Sequence, residues 1–213
     1  WHNKTIWNKG FIMSLVKLSN NGVKNITSVG NVGTGELKFI SKQTASSSAS
    51  ISFTSGIDST YKEYVFYFVN IHPQTDDVRF EFNMSTDGGS NYNVTKTTTT
   101  FRAYHNESDS ASALTYDTGR DQAQETGFQR IFLEQCGNDN DQNGGGYLHL
   151  FNPSSTTFVK HFICVTNHNQ HNDYNNNGFL AGYGNTTNSI DAIKFQMSSG
   201  NIDSGDILLY GVN

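Results

Sequence analysis

The sequence predicts an all-β protein, an antiparallel two-sheet β-sandwich of jelly-roll type, and three observations carry that expectation. From Tyr64 to Ile71 only Asn70 is strongly polar, and the run is built of aromatic and β-branched residues, which suit an extended backbone better than a helix. Val78, Phe80, Phe82 and Met84 alternate strictly with Arg79, Glu81 and Asn83, the pattern of a half-exposed antiparallel strand. Some ten strand-like segments are separated by Gly, Asn and Asp turns, and no segment reads as an amphipathic helix of three turns. Strands punctuated in this way favour two packed sheets over a parallel α/β fold. No internal repeat argues for a propeller or solenoid.

In chain order, residues 1–12 fit the rest poorly. They begin at Trp1, lack an apolar signal-peptide region, and precede Met13-Ser-Leu-Val-Lys-Leu, so they read as upstream read-through or a gene-model artefact. Residues 13–35 show neither helical nor strand periodicity and read as an N-terminal arm, leaving 36–213 as a single β-sandwich domain. Gly30, Gly33 and Gly35 resemble a phosphate loop, but no Lys-Ser or Lys-Thr and no helix-forming stretch follows. A first strand is expected over Glu36 to Lys42, then a small-residue spacer over Ser46 to Ser50, then alternation at Ile51 and Phe53. A turn at residues 56–59 leads into the Tyr64–Ile71 strand, which is apolar on both faces and needs cover on both; Pro73 ends it by removing a backbone donor. After Met84, residues 87–91 (Asp-Gly-Gly-Ser-Asn) read as a hairpin turn, with Tyr92 to Tyr104 as the returning strand. Further strands are expected at 128–135, 147–151, 158–166, 179–183, 190–197 and 207–212.

Composition bounds the function. The 213 residues contain 15 Phe and 10 Tyr within a surface-forming background of Ser, Thr, Asn and Gly, so a few large aromatics should carry the core. A net charge of −5 gives no electrostatic reason for a nucleic-acid partner, and no apolar run is long enough for membrane insertion as a helix. Two cysteines cannot make a disulfide framework, and Cys136 and Cys164 read as inert thiols.

The search for chemistry is largely negative. There is no Gly-x-Ser-x-Gly elbow, no His-Glu-x-x-His and no Cys-x-x-Cys pair, so the protein is expected not to be an enzyme. Asp139, Asp141 and Asn143, followed by Gly144, match the first half of an EF-hand loop. Position twelve is Leu150 rather than a bidentate Glu, so only a looser Ca²⁺ site competes with a solvated turn. His168, His171 and Asp173, with His161 one strand earlier, form a second cluster of ligand-binding candidates, readable as ligands of Zn²⁺ or another transition metal or as an exposed polar loop. Tyr92 and Tyr174, on Asn-rich segments, could stack on sugar faces while amides bond hydroxyls. No cofactor other than that Ca²⁺ is implied.

Three stretches carry a resemblance. Ser48 to Pro73, His149 to His161, and Ile190 to Asn201 with the closing Leu-Leu-Tyr-Gly-Val212 are similar, in the same order, to virion structural and tail-fibre-like proteins of tailed phages, especially marine cyanophage types. The resemblance implies a virion component made in the host cytoplasm, either an exposed tail-fibre-like appendage or a capsid-surface protein. It further implies other virion proteins as partners, a homo-oligomer, and contact with host surface glycans. It brings no catalytic motif. A freestanding carbohydrate-binding module is the alternative reading, and a polysaccharide depolymerase a more distant one, since it needs two carboxylates facing across a groove.

Overall fold

The computed structural model describes residues 36–213, so the expectations for residues 1–12 and 13–35 lie outside the described residues. The described residues, 36–213, contain no helix, and hence none long and apolar enough to cross a membrane. Their strands are β1 (Leu37–Ser48), β2 (Ile51–Phe53), β3 (Glu63–Pro73), β4 (Phe80–Ser85), β5 (Lys96–Asn106), β6 (Ser112–Tyr116), β7 (Ala123–Glu125), β8 (Gln129–Arg130), β9 (Gly144–Phe151), β10 (Lys160–Gln170), β11 (Tyr174–Gly184), β12 (Ala192–Met197) and β13 (Ile202–Val212). They form two antiparallel sheets in a sandwich-like arrangement, as the sequence predicts. The larger runs β1-β13-β3-β9-β10-β11-β5-β6, with β7 also on β5, and the smaller runs β2-β12-β4-β8.

The pairing is nested. β1 pairs with β13, β2 with β12, β3 with β9 and β4 with β8, so strands early in the chain meet strands late in it in reverse order. β13 lies between β1 and β3, and β12 between β2 and β4. Two insertions, β5 to β7 and the β10–β11 hairpin, extend the larger sheet well past the smaller one.

Alternate residues of both sheets fill the space between them. Tyr64, Phe66 and Phe68 of β3, Leu148 and Leu150 of β9, and Phe162 of β10 face Phe80, Phe82 and Met84 of β4 and Phe195 of β12, all of them buried. Phe195 is the hub, with ring centroids 5.4 Å from Phe66, 5.3 Å from Phe68 and 5.8 Å from Phe80. Burial of each such ring contributes about 1.5 to 3 kcal/mol, and edge-to-face pairs add about 0.5 to 1.5 kcal/mol. Two lysines share this interior. Lys96 and Lys160 both pair with Gly184, one on each side of it, and each ammonium bonds only neutral oxygens: Asn83 Oδ1 (2.7 Å) and the Val94 carbonyl (2.9 Å) for Lys96, the Phe158 carbonyl (2.8 Å) and the Thr186 carbonyl (3.2 Å) for Lys160.

The structure corrects several local expectations. Residues 87–91 do form a turn, but β5 crosses to the larger sheet instead of returning beside β4, because both edges of β4 are already taken by β12 and β8. Ser46 to Ser48 belong to β1 rather than to a spacer, held by pairing with β13. The expected strand at 128–135 shrinks to Gln129–Arg130; beyond it Ile131, Phe132 and Leu133 are buried in irregular backbone tied to the Phe80 carbonyl.

Candidate ligand-binding cleft and apolar sheet face

Because the larger sheet overhangs the smaller one, part of its inner face must be covered by something else. That cover is residues 117–134, fastened by Arg102 of β5. Arg102 Nε donates to Asp117 Oδ2 (2.8 Å), Nη1 to Asn176 Oδ1 (2.8 Å) and Nη2 lies 2.8 Å from Glu134 Oε1. Arg120 pairs with the same Glu134, donates to the Leu133 carbonyl (2.8 Å), and lies 3.5 Å from Asp117. Burial pushes the Asp117 carboxyl up, while the Arg102 hydrogen bond and the two guanidinium charges more than reverse this, leaving it below the ordinary value. Each of these two guanidinium groups thus meets both carboxylates.

Beside this network opens a cleft of about 260 Å³ lined by Arg102, Tyr104, Glu134, Gln170, Asn172 and Tyr174. The Tyr104 and Tyr174 rings stand 5.7 Å apart at 60°, and the Arg102 guanidinium lies 4.6 Å over the Tyr104 ring. Asn176, fully buried, donates to Gln170 Oε1 (3.0 Å) and so fixes that side chain as well as Arg102. Among the described residues, the Tyr104 and Tyr174 hydroxyls and the Asn172 amide take part in no hydrogen bond with the protein.

The sequence-predicted residues are only partly brought together. Tyr174 lines the cleft, and Asp173 forms the turn beside it with φ 66°, its backbone bonded to Gln170 and Glu107. His171 is half-buried 3.5 Å from Asp77. His168 is on no loop. It sits on β10 with its parity set by Phe162 and Cys164, so its ring is 1% exposed and stacks on Phe132 at 4.6 Å. Burial lowers its pKa to about 3, only partly offset by the Glu134 backbone, and neither ring nitrogen makes a well-formed hydrogen bond. Tyr92 belongs to the other sheet's surroundings, under the Lys194 ammonium at 4.2 Å.

Asp139 and Asp141 act through their carbonyls. The Asp139 carbonyl lies 3.2 Å from His72 Nε2, and that of Asp141 accepts from Asn169 at 3.2 Å. Asn143 lines a separate hollow with Asn70, His72 and Asp203. Among the described residues no group of three or more His, Cys, Asp or Glu side chains is placed to hold a metal ion. Both cysteines are buried and free, with burial raising the Cys136 thiol to about 12 and the Cys164 thiol further still.

The outer face of the larger sheet carries a band of aromatic and apolar side chains where a solvated sheet face is ordinarily polar. A groove of about 510 Å³ lies there among Thr97, Thr99, Phe151, His161, Ile163 and Tyr183. Beside it Phe101 and Phe179 stack at 4.6 Å, and Ile163 and Phe101 are 47% and 44% exposed. A chain of ring contacts runs on from Phe151 through His149, Tyr147, Tyr67 and Tyr210 to Phe39 at the sheet edge.

No family model, no curated protein and no solved structure matches this chain.

Proposed function

We propose that this chain is a structural component of a tailed-phage virion, carried as a tail-fibre-like appendage or capsid-surface protein and assembled through the outer face of its larger sheet. The observation that carries the reading is the aromatic band across that face, since large apolar surface of this kind on a sandwich marks a contact with another protein. Nested pairing supports it. Taking β1, β13, β3 and β9 as one face and β2, β12, β4 and β8 as the other gives eight strands in the order of a jelly roll, an architecture shared by viral capsid and lectin domains. The phage resemblance of the three stretches named above points the same way. A second copy is the first partner expected, because most soluble oligomers are symmetric homo-oligomers.

The test is light scattering after size-exclusion chromatography on the full chain, with mass spectrometry of purified virions from a phage that encodes it. A defined oligomer that Ile163→Asp breaks into folded monomers, together with the chain's presence in virions, is the expected result. A wild-type monomer would refute assembly through this face, and absence from the virions would refute the virion reading.

A further inference from the structure

We infer that the cleft between Tyr104 and Tyr174 binds a single neutral sugar residue, an activity that does not depend on whether the chain rides on a particle. The walls supply what a pyranose needs. An aromatic ring offers an apolar face to the sugar's C–H groups, while amide and carboxylate groups at the ring's rim meet its hydroxyls. Here Tyr174 offers a half-exposed ring, and Gln170 and Asn172 offer amide groups, around a hollow that Glu134 also lines with its carboxylate held by Arg102 and Arg120.

Tyr104, Tyr174 and the exposed Asn172 keep polar groups without protein partners among the described residues, and these are open to a ligand's hydroxyls. Arg102 is spent internally on Asp117, Asn176 and Glu134, so it positions the walls instead of meeting the ligand as a free cation. It also presses on Tyr104, just as Asn176 holds Gln170, and walls fixed in advance lose little freedom on binding. Because Arg102 and Arg120 are engaged by Asp117 and Glu134, neither guanidinium is left free to select a carboxylated or sulfated sugar. At about 260 Å³ it lies just below the roughly 300 to 1,000 Å³ of ordinary small-molecule pockets, which suits one sugar unit and not an enclosed chain.

The experiment is saturation-transfer NMR followed by calorimetric titration of the full 213-residue chain with the methyl glycosides of glucose, galactose, mannose and N-acetylglucosamine, and with glucuronic and sialic acids. Saturable binding of at least one neutral glycoside is expected, weakened at least about tenfold by Tyr174→Ala and unchanged by Tyr92→Ala. Thermal melts report whether each variant folds; if Tyr174→Ala does not, Asn172→Ala, outside every hydrogen bond of the network, carries the same expectation. The inference is overturned if no neutral glycoside saturates, if only the acids bind, or if the folded cleft variant binds like the wild type.

Discussion

His168 is a titratable ring held in the hydrocarbon of the core, and its consequence is acid sensitivity. Its folded pKa of about 3 lies below the ordinary 6.5, so as pH falls the unfolded chain takes up the proton first. The stability it contributes is fully present above pH 6.5 and is lost progressively down to about 3. Between neutrality and pH 4.5 that loss is about 2 to 3 kcal/mol. Urea unfolding of wild type and His168→Leu at both pH values should show the variant losing that much less on acidification; parallel losses would mean that His168 is not the sensitive group. Phe195 is the opposite kind of residue, an apolar ring in contact with five others. Phe195→Ala should cost about 3 to 5 kcal/mol in the same assay, because the cavity it leaves is walled by side chains from both sheets and cannot collapse.

At the scale of elements, the β9–β10–β11 region shows what the sequence made legible and what it hid. Tyr64 to Ile71 could be read as an internal strand because apolar residues on both faces leave no other extended placement, and β3 is indeed flanked by β13 and β9. The ends of β10 and β11 could not be read from polarity. Their Asn residues satisfy one another across the strands, as in Asn167 Nδ2 to Asn175 Oδ1 at 2.8 Å, so an Asn-rich stretch that resembles a loop is a hairpin with eleven paired positions. Parity did hold a signal, since stepping by two from Phe162 and Cys164 reaches His168. For the cleft, Arg102 and Tyr104 share such a parity on β5, but nothing in the sequence places Glu134 or Gln170 beside them. Gly146 on β9 marks where neighbouring strands crowd. With φ at +150° and an added Cβ colliding with the Val165 carbonyl and lying 2.7 Å from Thr166 Cα, Gly146→Ala should destabilise by about 2 to 4 kcal/mol. Gly119→Ala, with open space around it, should change little.

At the scale of the whole molecule, the sandwich was legible because strand count, turn chemistry and the lack of helix agree, whereas strand order was not. Order depends on which late strand meets which early one, and the sequence holds no local mark of a partner more than a hundred residues away. The two inserted segments make the larger sheet asymmetric, so its inner overhang carries the polar cleft and its outer face the aromatic band. The proposed protein contact and the proposed sugar site thus lie on opposite faces and do not compete for surface. The placing of β13 between β1 and β3 has a further effect, on the birth of the chain. β1 and β3 are made early, yet the strand that joins them is the last described element to be made, so each waits with an open hydrogen-bonding edge while synthesis proceeds. Closure must therefore be a late, long-range event, slow in the manner of folds whose contacts are distant along the chain. Until it happens, the nascent polypeptide is at its most prone to pair with a neighbour on the same polysome.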